Sequence, residues 1–138
     1  MRVLAVDPGE KRIGIAISDP SGTIANPLTV VNHVSRPVDA AVIAQLAAEA
    51  EAELIIVGEA LNEEGEPTPQ SRRASRLAAA IRDQVGIPVE LWDESGSTQS
   101  VRAAQIAMGT SQRKRRGHLD HLAATYLLQT YLDEHKGL

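Results

Sequence analysis

The sequence predicts an α/β fold, a mixed sheet with helices on both faces. Three observations lead there. Two short apolar runs near the N-terminus flank an Asp-Pro-Gly turn at residues 7–9 and read as a hairpin. The apolar period then changes from strand-like to helical at about residue 37. Beyond that point short apolar runs alternate with helical segments, the order that makes βαβ crossovers and places helices on a partly parallel sheet.

Taken in order, Arg2 to Val6 is continuously apolar after its first residue and suits a central buried strand. Arg12 to Ser18 alternates Ile13, Ile15 and Ile17 with Gly14 and Ala16, a period of two. A third strand is expected around Ile24 to Val31, with Asn26-Pro27 limiting its regularity. Residues 37–51 form a helix with Val42, Ile43, Leu46, Ala47 and Ala50 on one face. Leu54 to Val57, ended by Gly58, is a buried strand, and Glu59 to Thr68, rich in Glu, Gly and Pro, is expected to be a mobile loop. Thr68 caps a helix with Pro69 in its first position and a core stripe of Ala74, Leu77, Ala78, Ile81 and Val85, stopped by Gly86 and Pro88. Val89 to Trp92 is a short strand followed by Asp93-Glu94. Ser97 or Thr98 caps a helix to about Met108, residues 110–117 read as a polar, basic loop, and a last helix spans about 118–133 with Leu119, Leu122, Ala123, Tyr126 and Leu127 inward. The 138 residues fit one domain, 1–138.

Composition narrows the chemistry. Phe is absent, so Ala, Val, Ile and Leu must build the core. Without cysteine there is no disulfide framework, thiolate zinc site or cysteine nucleophile. Asp7 interrupts the first apolar run too early for a secretory leader, and no stretch is long enough for a membrane helix, so a cytoplasmic location without membrane association is expected. The net charge of −4 hides an asymmetry: residues 1–69 carry four basic and eleven acidic side chains, residues 70–138 ten basic and seven acidic. A basic half can still guide a polyanion, because local potential does the steering.

Three acids occupy telling positions. Asp7 ends the first strand, Glu94 follows the last, and Asp120 lies in the first turn of the predicted final helix, where the helix dipole would favour its ionised form. Ligands of open α/β sheets collect beyond the carboxyl ends of the strands. Converged carboxylates repel one another and call for a cation, and hard oxygen donors favour Mg²⁺ or Mn²⁺. Each acid alone has a structural reading as a turn former, a solvated acid or a helix-start residue. Together they suggest a catalytic metal site for phosphodiester hydrolysis.

The surroundings of these acids resemble the YqgF family, the Holliday-junction-resolvase-like proteins also described as pre-16S rRNA nucleases. VDPGEKRIGIAISDPSGTIANPL is similar to the family's D-x-G-x-K-R-I-G-x-A-x-S-D signature, and IIVGEALNEEGEPTPQ to its V-G-x-P-x-N-x-x-G…Q segment. LWDESGST resembles D-E-R-x-[ST]-T, and DHLAATYLLQTYLD resembles the closing D-x-x-A-A-x-x-[IL]-L-Q-x-[YF]-L. The resemblance implies a ribonuclease H-like fold and maps the family's acidic triad onto Asp7, Glu94 and Asp120. It also implies a hydrolase that processes the 5′ end of ribosomal precursor RNA during ribosome biogenesis. Two departures stand out. Glu59-Ala60 replaces the usual apolar residue and Pro. Ser95-Gly96 replaces Arg and an apolar residue, removing a phosphate or carboxylate partner beside Glu94.

Two basic groups are candidate nucleic-acid contacts: Arg72, Arg73 and Arg76 on the helix after Thr68, and Arg113, Lys114, Arg115 and Arg116 just before Asp120. Aromatic platforms for base reading are poorly supplied, since the tyrosines read as core. His118 and His121 read as helix-start residues. The expected partner is RNA, a ribosomal precursor, with a DNA junction as the alternative, acted on by a monomer or homodimer. A catalytically silent RNA-binding module for ribosome maturation is a further reading. An actin-like or sugar-kinase ATPase shares the topology but needs a second domain to close over its nucleotide, and no Walker A segment is present.

Overall fold

A computed structural model describes residues 1–93 and 112–135, the side chains of the latter stretch from residue 122 onward. The described elements are β1 (Val3–Pro8), β2 (Arg12–Ser18), β3 (Ala25–Asn32), α1 (Arg36–Glu49), β4 (Leu54–Glu59), α2 (Pro69–Arg82), β5 (Val89–Asp93) and α3 (Gln112–Glu134). The helix expected over about 97–108 lies outside the described residues.

The sheet runs β3-β2-β1-β4-β5. Its first three strands are antiparallel neighbours, while β4 is parallel to β1 and β5 to β4. This is the expected mixed sheet: the short turn after β1 permits only antiparallel return, and the helical crossovers produce parallel pairing. In β3 the register skips a residue opposite Ile15 and Ala16, beside Pro27. The strand is at the edge of the sheet, where a missing N–H is tolerated.

β1 is buried on both sides, and its alternation divides the interior. Leu4 and Val6 join Ile13, Ile15, Ile55 and Val57 under α1 and α2. Val3 and Ala5 join Ala16, Leu54 and Ile56 under α3. Of the expected α2 stripe Ala74, Leu77, Ala78 and Ile81 are buried, whereas the helix ends at Arg82 and Val85 packs partly buried beyond it; Thr68 caps α2 in a reciprocal capping box with Ser71, and Pro69 follows.

Three helical expectations need correction. On α1 the inward face is Asp39, Ala40, Ile43 and Ala47, and Val42 is 37% exposed. The face is rotated because the Asp39 carboxylate is drawn inward by the Val34 N–H at 3.0 Å and by the His33 ring. Residues from Gln112 onward are helical, so α3 begins within the segment read as a loop over 110–117. Arg, Lys and Gln are strong helix formers, and intrinsic propensity does not require an apolar stripe. On α3 the buried set is Ala123, Ala124, Leu127, Leu128, Tyr131 and Leu132, whereas Tyr126 is 43% exposed. Pairs of small and branched residues, 123/124 and 127/128, supply a wider face than one that includes Tyr126.

Ser18 fastens the start of the central strand. Its buried hydroxyl accepts from the Val3 N–H at 2.8 Å and donates to the Asp19 carbonyl at 3.0 Å. Asp19 in turn closes the β2–β3 connection, accepting from the Thr23 and Ile24 N–H groups at 2.7 and 2.9 Å and from the Ser21 hydroxyl. The Ile24 N–H, then Ser21, then Thr23 hold its carboxyl well below the usual carboxylate range. Ser18→Ala leaves the buried Val3 N–H without its acceptor, and urea unfolding should show a loss of about 1–3 kcal/mol with an unchanged slope.

Candidate active site

Asp7 sits where expected, at the carboxyl end of the central strand. It is partly buried and lies opposite Gly14 of β2. Strand alternation puts it on the same face as Val3 and Ala5, the face covered by α3, and puts Pro8 on the α1/α2 face. The bend that follows depends on Gly9. Its N–H donates to the Arg12 carbonyl at 2.9 Å, and a Cβ there would lie 2.4 Å from that same oxygen. Only glycine fits without shifting the backbone.

The connection after β4, expected to be mobile, is held by its own polar side chains. The Asn62 carboxamide oxygen accepts from the Glu64 and Glu66 N–H groups at 3.0 and 2.8 Å, and Gly65 takes a φ of 77° to close the turn. Gln70 then ties the ends of β4 and β1 together. Its Oε1 accepts from the Ala60 N–H at 2.6 Å and its Nε2 donates to the Pro8 carbonyl at 3.5 Å. Asx-type turns of this kind are why a polar, Gly-containing segment need not be loose.

The other two predicted ligands differ in how far they are placed. Glu94 lies outside the described residues. It follows Asp93, the last residue of β5, which lies at the same sheet edge as Asp7. Asp120 is within α3, eight residues after its first residue, not in its first turn. The dipole argument for its ionisation therefore does not apply, since that effect fades beyond the first turn. Arg113, Lys114, Arg115 and Arg116 occupy the opening turns of the same helix.

On α2 the predicted trio divides. Arg72 and Arg76 are exposed. Arg73 is partly buried and turns into a cleft of about 390 Å³ between the β1–β2 bend, the start of α1 and α2. Trp92 is no base platform either. Its Nε1 donates to Thr130 Oγ1 at 3.2 Å, and its ring meets Tyr131 edge-on at 5.0 Å, so it anchors α3 to β5.

Two clusters escaped the sequence reading. Glu59 and Asp93 are cross-strand partners on β4 and β5. By alternation with Val57 and Leu91 they belong to the α1/α2 face, opposite Asp7. Glu59 had shown itself only as a departure from the family pattern. Burial pushes its carboxyl up from the ordinary range, and the charge of Asp93 adds to this. The second cluster is His33, Arg36, Asp39 and Arg73 around the cleft. Among the described residues, no three potential metal-ligating side chains come together.

Because the folded protein holds Glu59 above its ordinary pKa, its stabilising contribution is complete below the unfolded pKa and is lost as pH rises through the folded one. Glu59→Gln should therefore stabilise the metal-free protein at pH 7, by less than about 1 kcal/mol for so solvated a side chain, and give no gain near pH 4. Thermal unfolding in chelator at the two pH values measures this difference.

Comparison with known proteins agrees with this architecture. The family model described as RuvX, Holliday junction resolvase, matches residues 1–134. A Syntrophus aciditrophicus protein named "Putative pre-16S rRNA nuclease" is 40% identical over 96% of this chain and 89% of its own. A protein of the same name from Thermoanaerobacter pseudethanolicus is 39% identical over 99% of both chains. Among solved structures, T. thermophilus RuvC in complex with Holliday junction substrate aligns with a TM-score of 0.60 at 17% identity, covering 99% of this chain and 96% of that one. The fowlpox virus resolvase bound to Holliday junction DNA aligns at 0.56 with 14% identity over 99% of each chain. These likenesses show the ribonuclease H-like fold. Among the described residues no helix is long and apolar enough to cross a membrane. With a family match spanning nearly its whole length and full-length relatives near 40% identity, the chain belongs to the RuvX (YqgF) family of resolvase-like nucleases.

Proposed function

We propose that residues 1–138 act as one cytoplasmic nuclease domain that cuts the precursor of small-subunit ribosomal RNA with two divalent ions, Mg²⁺ or Mn²⁺, held by Asp7, Glu94 and Asp120. The observation that carries this reading is Asp7: a partly buried carboxylate at the end of a strand otherwise apolar on both faces, turned to the side that α3 covers. Asp120 belongs to α3, the helix that packs on the Asp7 face of the sheet, where Ala124, Leu127 and Leu128 bury with Val3 and Ala5.

The donor set is carboxylate oxygen, which fits Mg²⁺ or Mn²⁺. Ions bound there would lower the pKa of a water and offset charge on the attacked phosphate and leaving oxygen. The chain supplies position and field. β1 holds Asp7 through its pairing with Gly14 of β2, and the tight Gly9 turn reverses the chain directly after the strand. Arg113, Lys114, Arg115 and Arg116 offer a positive approach to an otherwise anionic edge. The ribosomal substrate is supported by the names of the full-length relatives, and the family description favours a DNA four-way junction as a second reading.

Asp7→Asn keeps the side chain's shape and removes its charge. Cleavage should fall by at least about a hundredfold while thermal unfolding stays near that of the parent. Near-normal turnover at matched metal concentration would remove Asp7 from the ligand set. Assaying precursor rRNA, single-stranded DNA and a four-way junction side by side, with and without Mn²⁺, decides the substrate. Replacing the four basic residues 113–116 by Ala should weaken binding similarly across sequences. Each lost phosphate contact should flatten the plot of log affinity against log salt by about 0.7–0.9, and unchanged affinity and slope would make the run a solvated helix start.

A further inference from the structure

On the face of the sheet opposite Asp7, immediately beyond the same bend, lies the cleft of about 390 Å³. Pro8 and Gly9, the two residues after Asp7, form part of its wall. Its apolar lining includes Ile13 and Leu77, both almost fully buried, and Pro37. Its polar lining includes Arg36 from the first turn of α1, Arg73 from α2, and His33. Two of these cationic and ring groups are held in distinctive ways. The Arg73 Nε is buried and has no hydrogen-bond partner among the described residues. His33 is fixed through Nδ1 by the carboxylate of Asp39, itself only 2% exposed and secured by the Val34 N–H. An inward carboxylate that serves to orient a ring at the rim of a cleft leaves Nε2 for a ligand.

This combination differs from a solvated basic patch. A patch that only steers a polyanion needs neither an apolar lining nor a guanidinium nitrogen withdrawn from water unpaired, which is unfavourable until something accepts from it. Two guanidinium groups suit a phosphate, which each can bind with paired N–H donors. The apolar lining suits a flat, weakly polar body beside it, and the volume falls in the range of small-ligand pockets. The shared wall at Pro8 and Gly9 puts this cleft one bend away from Asp7.

We propose that the cleft binds one unstacked nucleotide of the substrate strand, its phosphate against Arg36 and Arg73 and its base against Ile13, Pro37 and Leu77. This rests on the nuclease reading of the Asp7 edge for its biological meaning, and it is testable without it. A strand crossing the bend would then be gripped on one face while its neighbouring phosphate is presented on the other, so that the cleft sets the register of cutting.

The test is a titration of the full-length protein, in chelator, with a nucleoside 5′-monophosphate, the corresponding nucleoside and inorganic phosphate, followed by amide chemical shifts. The monophosphate should bind saturably at least about tenfold more tightly than either fragment, with shifts centred on residues 8–13, 33–39 and 73–77. Arg73→Ala should weaken it by a similar factor. Arg36→Ala, at an exposed position with little bearing on folding, should do the same. Equal binding of the monophosphate and phosphate would reduce the cleft to an anion site and overturn the proposal, as would unchanged affinity in both variants or shifts confined to α3. The Asp7→Asn protein separates the two readings. Loss of cleavage with retained nucleotide binding supports both, and nucleotide binding by a parent protein that cleaves no nucleic acid leaves the cleft standing while the nuclease site falls. Cleavage by a parent protein that binds no mononucleotide has the opposite meaning.

Discussion

The structure depends on one constraint, that β1 must be apolar on two faces at once. A strand at the middle of a five-stranded sheet, with helices on both sides, has no solvent-facing row, so every side chain from Val3 to Val6 is buried. Its neighbours inherit the division. Ile13 and Ile15 of β2 and Ile55 and Val57 of β4 face α1 and α2, whereas Ala16, Leu54 and Ile56 face α3. The first position where a charge can enter is the end of the strand, and Asp7 occupies it. A carboxylate one residue earlier, at Val6, would be buried under α1 and α2. One residue later, at Pro8, it would face the same side. The face to which Asp7 belongs is therefore decided by the parity of a single strand.

α3 must be placed against that strand without help from a short connection, and two consecutive side chains do it. Gln129 reaches to the β3 side, accepting from the Ala25 N–H and donating to the Thr23 carbonyl at 3.1 Å. Thr130 reaches to the β5 side and accepts from Trp92. Between them Leu127, Leu128 and Tyr131 bury against the sheet. A helix held on both flanks cannot slide or roll without breaking one of these contacts.

The parts of this arrangement legible in the sequence are those written in periodicity. The alternation of β2, the continuous burial of β1 and β4, and the capped stripe of α2 all express a pattern of apolar residues, and the fold follows from their order. The misreadings share a cause: a polar residue whose role is set by a distant partner. Asp39 has no place in the apolar pattern, yet its bonds to His33 and the Val34 N–H bring it to the inward face of α1. Asn62 lay in a segment read as a mobile loop and Gln70 in the first turn of a helix, yet they secure the crossover from β4 to α2 and the end of β1. Arg73 looked equivalent to Arg72 and Arg76, and only the packing of α2 over the β1–β2 bend separates them. The start of α3 was misread for the opposite reason, because local propensity sufficed where no apolar pattern existed.

The family segments also divide by function once their contacts are known. Ser18, Asp19, Asn62, Gly65 and Gln70 all act through backbone groups: they fasten strand starts, close turns and tie β4 to β1. None needs to touch a substrate to matter: Ser18 and Asp19 secure the far end of β1 and β2, and Asn62, Gly65 and Gln70 secure the edge from which Asp7 projects. Glu59 belongs to neither group. It stands where the family pattern has an apolar residue, and it places a second acid beside Asp93 on the α1/α2 face. Charge on that side opposes a polyanion unless something compensates it, and the nearest polar features on the same face include the cleft of Arg36 and Arg73. The α1/α2 face therefore carries negative charge next to β4 and β5 and positive charge next to β1 and α1, and the sign changes between neighbouring strands of one sheet.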